Sequence, residues 1–104
     1  MTFNDIRYTL VLVIRSFKSK ETETLHGGSR VRRFDGIEKI ALHKLAILES
    51  AQYLADLTVP PGNRLKALKG ARAGQYSIRI NDQYRICFRW NEDTAEDVEI
   101  VDYH

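Results

Sequence analysis

The sequence predicts an α+β fold, a small and mainly antiparallel sheet packed against helices from the N-terminal half. Residues 35–57 repeat apolar side chains at helical spacing, which predicts one long amphipathic helix. Residues 75–90 alternate apolar and polar side chains on both sides of Asn81-Asp82, a pair suited to a tight hairpin turn. A length of 104 residues, with 43% hydrophobic and 29% charged side chains, provides for one core and a single domain over residues 1–104.

Residues 8–17 are rich in β-branched and apolar types and read as a first strand. Residues 19–25 form a short helix with Ser19 as N-cap, broken by Gly27-Gly28. Residues 29–33 read as a basic, solvated loop. Asp35 opens the main helix, and with Glu38 it has the spacing of a carboxylate capping box. Ile37, Ile40, Ala41, Leu48, Ala51 and Ala55 form its apolar stripe, whereas His43 falls on the solvated side. The helix should end near Leu57, because Pro60-Pro61-Gly62 cannot continue it. Residues 60–74 read as a loop dense in Pro, Gly and bases.

The hairpin strands, 75–80 and 83–90, each have two chemical faces. Tyr76, Ile78, Ile80, Tyr84, Ile86, Phe88 and Trp90 make an apolar face, which the main helix must cover. Ser77, Arg79, Arg85, Cys87 and Arg89 make the other, an arginine stripe. A polar turn over 91–96 leads into a last strand, 97–103.

Charge is distributed unevenly. Residues 60–90 carry seven bases against one acid, and residues 91–104 carry six acids and no Lys or Arg. A basic middle with an acidic end permits a phosphate-facing surface. The single cysteine, Cys87, excludes an internal disulfide and reads as a buried thiol in a strand. His26, His43 and His104 are far apart and fit no local metal spacing, so neither metal nor cofactor is expected. The apolar run at 8–14 falls far short of a bilayer span, and no signal-peptide cleavage site follows it. A cytoplasmic protein without membrane contact is the expectation.

The chain ends on Asp102-Tyr103-His104, which sets an imidazole beside the terminal carboxylate. A frayed terminal histidine is the plain reading. Held against the basic segment, it would join acid–base groups to phosphate-binding groups, a combination suited to cleaving a polyanion.

Ile14-Arg-Ser-Phe17, Leu65-Lys-Ala-Leu-Lys-Gly70, Ala73-Gly74, Tyr76-Ser-Ile78, Asn81-Asp-Gln-Tyr-Arg-Ile86 and Asp102-Tyr-His104 together resemble HigB toxins of the RelE/ParE superfamily. The resemblance runs from about Val13 to His104 and leaves residues 1–12 outside it. It implies a RelE-like fold and a ribosome-dependent mRNA endonuclease that cuts message in the decoding site. It also implies a HigA-like helix-turn-helix antitoxin, which neutralises the toxin and is its route to operator DNA.

RNA cleavage without a metal needs a base for the 2′-OH, cations for the phosphorane and an acid for the leaving 5′ oxygen. His104 fits acid–base work near neutral pH. Asp102 could orient a base or help remove the 2′ proton, or simply pair with a hairpin arginine. Tyr103 could stack on a base or hydrogen-bond to the phosphate. Lys69 and Arg85 match positions that the family uses near the scissile phosphate. Lys66 stands where some relatives have histidine, which favours a charge-stabilising role and a milder toxin. Arg64, Arg72, Arg79 and the Arg30/Arg32/Arg33 cluster are candidate contacts to ribosomal RNA phosphates. The rival expectation is a non-enzymatic toxin of the gyrase-poisoning ParE kind, a branch that lacks the Asp-Tyr-His ending.

Overall fold

The computed structural model describes residues 14–103. Most of the predicted first strand and the whole of His104 therefore lie outside the described residues. Two helices, α1 (Lys20–His26) and α2 (Glu38–Ser50), precede four strands: β1 (Lys66–Ala67), β2 (Tyr76–Arg79), β3 (Tyr84–Asn91) and β4 (Thr94–Asp102). The strands form one antiparallel sheet in the order β1-β2-β3-β4. Ile14 and Phe17 add isolated parallel bridges to Ala95 and Val98 on β4.

Helix α1 begins as expected. The Ser19 hydroxyl accepts a hydrogen bond from the Thr22 amide at 3.2 Å, which satisfies one of the unpaired donors of the first turn. Thr22 is itself fully buried, and its Oγ1 accepts the Ile100 amide at 3.0 Å. That bond ties α1 to β4.

Helix α2 is shorter than the periodicity suggests, and its cap is different. Asp35 is bound to Arg30, the Glu38 carboxylate accepts the Gly36 amide, and Ile37 occupies the N-cap position without a side-chain bond. At the other end, Asp56 accepts the amides of Gln52 and Tyr53, which turns residues 54–58 into a 3-10 turn. The core stripe is also rotated. Ile37, Ala41, Lys44, Leu45 and Leu48 are buried, whereas Ile40 is 41% exposed.

The apolar face of the hairpin packs under the helices as expected. Ile78, Ile80, Ile86 and Phe88 join Phe34, Leu45, Leu48 and Leu57 in one core, with Tyr76, Tyr84 and Trp90 at its margin. The Phe34 and Tyr84 rings meet edge-on at 6.1 Å, a favoured arrangement for aromatic quadrupoles.

The basic stretch over 60–74 is more ordered than a plain loop. It holds 3-10 turns at Pro61–Asn63 and Gly70–Arg72, with β1 between them. Asn63 is fully buried and anchors it: its amide donates to the Leu57 and Val59 carbonyls, and its Oδ1 accepts from the Lys44 ammonium at 2.5 Å. The stretch thus begins fastened to α2.

The hairpin turn forms where expected. Asn81 Oδ1 accepts the amides of both Gln83 and Tyr84. The next turn is tighter than the sequence suggests, because Glu92 and Asp93 both take positive φ. Strand β4 therefore begins at Thr94, three residues earlier than expected, and Asp97 (φ 53°) sits beside the register shift between Cys87 and Arg89.

Candidate active site

The sheet's second face is the polar one. Lys66 pairs with Ser77, Ser77 with Cys87, and Cys87 with Glu99, so one row crosses all four strands. The next row sets Arg79 beside Arg85 and Arg85 beside Val101. Directly opposed residues share a face. The face is not a simple solvated stripe, because Ser77 and Cys87 are fully buried within it.

Arg85 is the centre of this face. Its Nε donates to Ser77 Oγ at 2.8 Å and its Nη2 to the Arg64 carbonyl at 2.7 Å. The guanidinium lies 5.9 Å from the centroid of the Tyr103 ring, within cation–π range. Burial pushes the Arg85 pKa below its ordinary value, with the nearby Tyr103 acting in the opposite direction. The group stays cationic at any physiological pH.

Tyr103 is held by its backbone. Its amide donates to the Gln83 carbonyl at 2.5 Å, and the Gln83 side chain donates to Asp102 Oδ2 at 3.1 Å. Tyr103 forms one wall of an open groove of about 500 Å³, whose other lining residues are Lys66, Ala67, Leu68 and Lys69. A second hollow of about 420 Å³ shares Tyr103 and is lined by Arg72, Val101 and Asp102. Two segments far apart in the chain, one with Lys66, Lys69 and Arg72 and the other with Asp102 and Tyr103, thus converge on two adjoining hollows, and Arg85 lies against the tyrosine ring.

The remaining predicted bases separate into two groups. Arg30 pairs with Asp35, Arg33 with Glu21, Arg79 with Asp82, and Arg72 approaches Glu99 at 3.5 Å. Arg89 lies 3.6 Å from Asp97. Arg32 and Arg64 are exposed and make no ion pair among the described residues. The Arg72–Glu99 approach is a charge attraction without hydrogen-bond geometry, since Glu99 Oε1 is buried with no hydrogen-bond partner.

Sequence reasoning missed Ser77, Gln83, Asn63 and Lys44. Ser77 was visible only as one polar position in an alternating strand. For Asn63 and Lys44 the sequence offers no signal, because their bond spans nineteen positions. His43 is exposed on α2, as periodicity suggested. Among the described residues, no group of three or more His, Cys, Asp or Glu could hold a metal ion, and no helix is long and apolar enough to cross a membrane.

Comparison with known proteins assigns the chain to a family. Residues 15–104 match the family model described as the RelE-like toxin of type II toxin–antitoxin system HigB. The chain belongs to the HigB-like toxin family. Toxin HigB-1 of Vibrio cholerae is 41% identical over 81 residues, covering 76% of this chain and 85% of that one. An uncharacterized protein of Haemophilus influenzae is 26% identical over 73 residues, covering 70% and 72% respectively. A solved structure titled YoeB-YefM complex, from Staphylococcus aureus, superimposes with a TM-score of 0.53 over 88% of this chain and 98% of its own, at 18% identity. That last likeness is one of fold. As a HigB-like toxin of a type II system, the chain has an antitoxin for a partner. The site described above lies wholly within the family match.

Proposed function

We propose that this HigB-like toxin is a ribosome-dependent mRNA endonuclease whose reaction centre is the groove lined by Lys66, Lys69 and Tyr103, with Arg85 against the Tyr103 ring. The convergence of three cationic side chains and one aromatic ring on the sheet face carries this reading. A phosphodiester entering the groove would meet Arg85 as a planar donor and Lys66 and Lys69 as point charges. Those cations would stabilise the charge that builds on the phosphorane, and Tyr103 would stack on an exposed base or hydrogen-bond to the phosphate.

His104 follows Tyr103 directly in the chain and supplies the acid–base function, together with Asp102. One group removes the 2′-OH proton and the 2′ oxygen attacks phosphorus. The P–O5′ bond then breaks as the acid protonates the leaving oxygen. The products are a 2′,3′-cyclic phosphate and a 5′-hydroxyl end, and the reaction needs no metal. Arg64 and Arg32, without ion pairs among the described residues, are the foremost candidates for ribosomal RNA phosphates. Arg30, Arg33, Arg72 and Arg79 would first have to exchange a carboxylate partner. A HigA-like antitoxin would neutralise the toxin and carry it to operator DNA, and the toxin would act in the cytoplasm. Residues 1–104 would form a single toxin domain, with residues 1–12 outside its chemistry.

The test is to map message 5′ ends in translating extracts given the intact chain or His104→Ala. The intact chain is expected to yield ribosome-dependent cuts with 5′-hydroxyl ends, and His104→Ala to slow them by about 10²–10⁴-fold. Ends bearing 5′-phosphate would refute the proposed chemistry, and equal cutting by both proteins would remove His104 from it. Intact message with arrested DNA replication would point to the ParE-like alternative.

A further inference from the structure

Two of the three Arg85 nitrogens are occupied by acceptors in the protein itself. Nε donates to Ser77 Oγ at 2.8 Å, and Nη2 donates to the Arg64 carbonyl at 2.7 Å. Among the described residues Nη1 has no hydrogen-bond acceptor. Both acceptors are themselves fixed. Ser77 is fully buried in the central part of the sheet, paired with Cys87 on one side and Lys66 on the other. Arg64 has a left-handed backbone (φ 46°, ψ 57°) at the end of the Pro61–Asn63 turn, which the buried Asn63 fastens to Lys44 and to the Leu57 and Val59 carbonyls. The Tyr103 ring at 5.9 Å bounds the guanidinium as well.

An unrestrained arginine keeps its rotamer freedom, which must be lost each time it grips a phosphate. A guanidinium already held by two acceptors has lost most of that freedom on folding. Such preorganisation raises the rate at which bound substrate reacts, because no donor has to reorient as charge develops.

We propose that Ser77 is a positioning residue, whose hydroxyl, acting with the Arg64 carbonyl, fixes the Arg85 guanidinium so that Nη1 remains to donate to the scissile phosphodiester. The inference rests on the reading of Arg85 as a phosphate-stabilising group. It adds two elements absent from the list of groups that touch the substrate: a buried serine, and a backbone carbonyl delivered by the Pro-Gly turn.

A double-mutant cycle tests it with Ser77→Ala, Arg85→Ala and the combined variant, each checked by thermal unfolding. Single-turnover cleavage of ribosome-bound message is followed as toxin concentration is varied. Ser77→Ala is expected to lower the maximal rate about tenfold with half-saturation unchanged. In the Arg85→Ala background it should change the rate by less than about twofold, since contacting residues couple. A loss of similar size in both backgrounds would mean that Ser77 acts only through general stability, and would overturn the inference. Wild-type cutting by Ser77→Ala alongside a slow Arg85→Ala would overturn it too, while leaving the role of Arg85 intact. Wild-type cutting by Arg85→Ala would instead refute the underlying reading. A second readout is independent of catalysis. The Arg85 Nε proton should exchange slowly with solvent in the intact chain and quickly in Ser77→Ala, and equal exchange in the two would contradict the contact.

Discussion

At the scale of single residues, two buried groups have consequences outside the chemistry. Lys44 is only 8% exposed, and its described acceptor is a neutral amide, Asn63. Desolvation and, secondarily, Arg79 hold its pKa below the ordinary lysine value. The unfolded chain therefore binds more protons at alkaline pH, and stability contributed at this position rises with pH. The rise should span the window from the lowered value up to about 10.4. Urea unfolding of the wild type and Lys44→Met at pH 7 and at pH 10 checks this. The wild type should gain stability relative to the variant at the higher pH, and a constant difference would contradict the account. Cys87 is fully buried, and that burial pushes its thiol pKa up, with Arg72 the largest opposing influence. Native protein should thus resist iodoacetamide at neutral pH and react on unfolding, as mass spectrometry would show. Rapid labelling of native protein would mean the sheet face is more open than described.

At the scale of elements, the turns that build the site depend on particular backbone conformations. Gly74 joins the basic stretch to β2 with φ at 92°, and an added Cβ would lie 2.8 Å from Arg89 Nη1. The arginine tip can move aside, but the backbone conformation cannot relax for an L-residue. Gly74→Ala should therefore destabilise the fold by about 1–2 kcal/mol, measured as a lowered urea midpoint at constant slope. An unchanged midpoint would mean that the turn rearranges. This is also the scale at which the sequence was most and least informative. The Ser19 cap, the Asn81-Asp82 turn and the two-faced hairpin were legible because each is set by neighbouring residues. The ends of α2 were not, because Asp35 is claimed by Arg30 and Asp56 by the amides before it. Both carboxylates had more than one possible partner, and only the folded chain selects among them. The Lys66–Ala67 strand was hidden for a related reason. Two residues show no alternation, and their pairing with Tyr76 and Ser77 is a property of the sheet.

At the scale of the molecule, the fold separates stability from chemistry by using the two faces of one sheet. The apolar face lies under α1 and α2, and the polar face gathers Lys66, Lys69, Arg85 and Tyr103 around the groove. The sequence named those four residues by family resemblance and charge. It did not show that Ser77 and the Arg64 carbonyl hold the arginine, because those contacts join segments eight and twenty-one positions apart. Lys69 permits the cleanest test of the central claim. It is exposed and belongs neither to the core cluster nor to the side chains packed against it, so its removal should alter the groove and little else. The decisive measurement is the single-turnover rate of message cleavage on the ribosome by Lys69→Ala, with thermal stability and ribosome binding measured alongside. The rate should fall by about 10²-fold or more, with an unchanged unfolding temperature. Cleavage at the wild-type rate would contradict the assignment of this groove as the reaction centre.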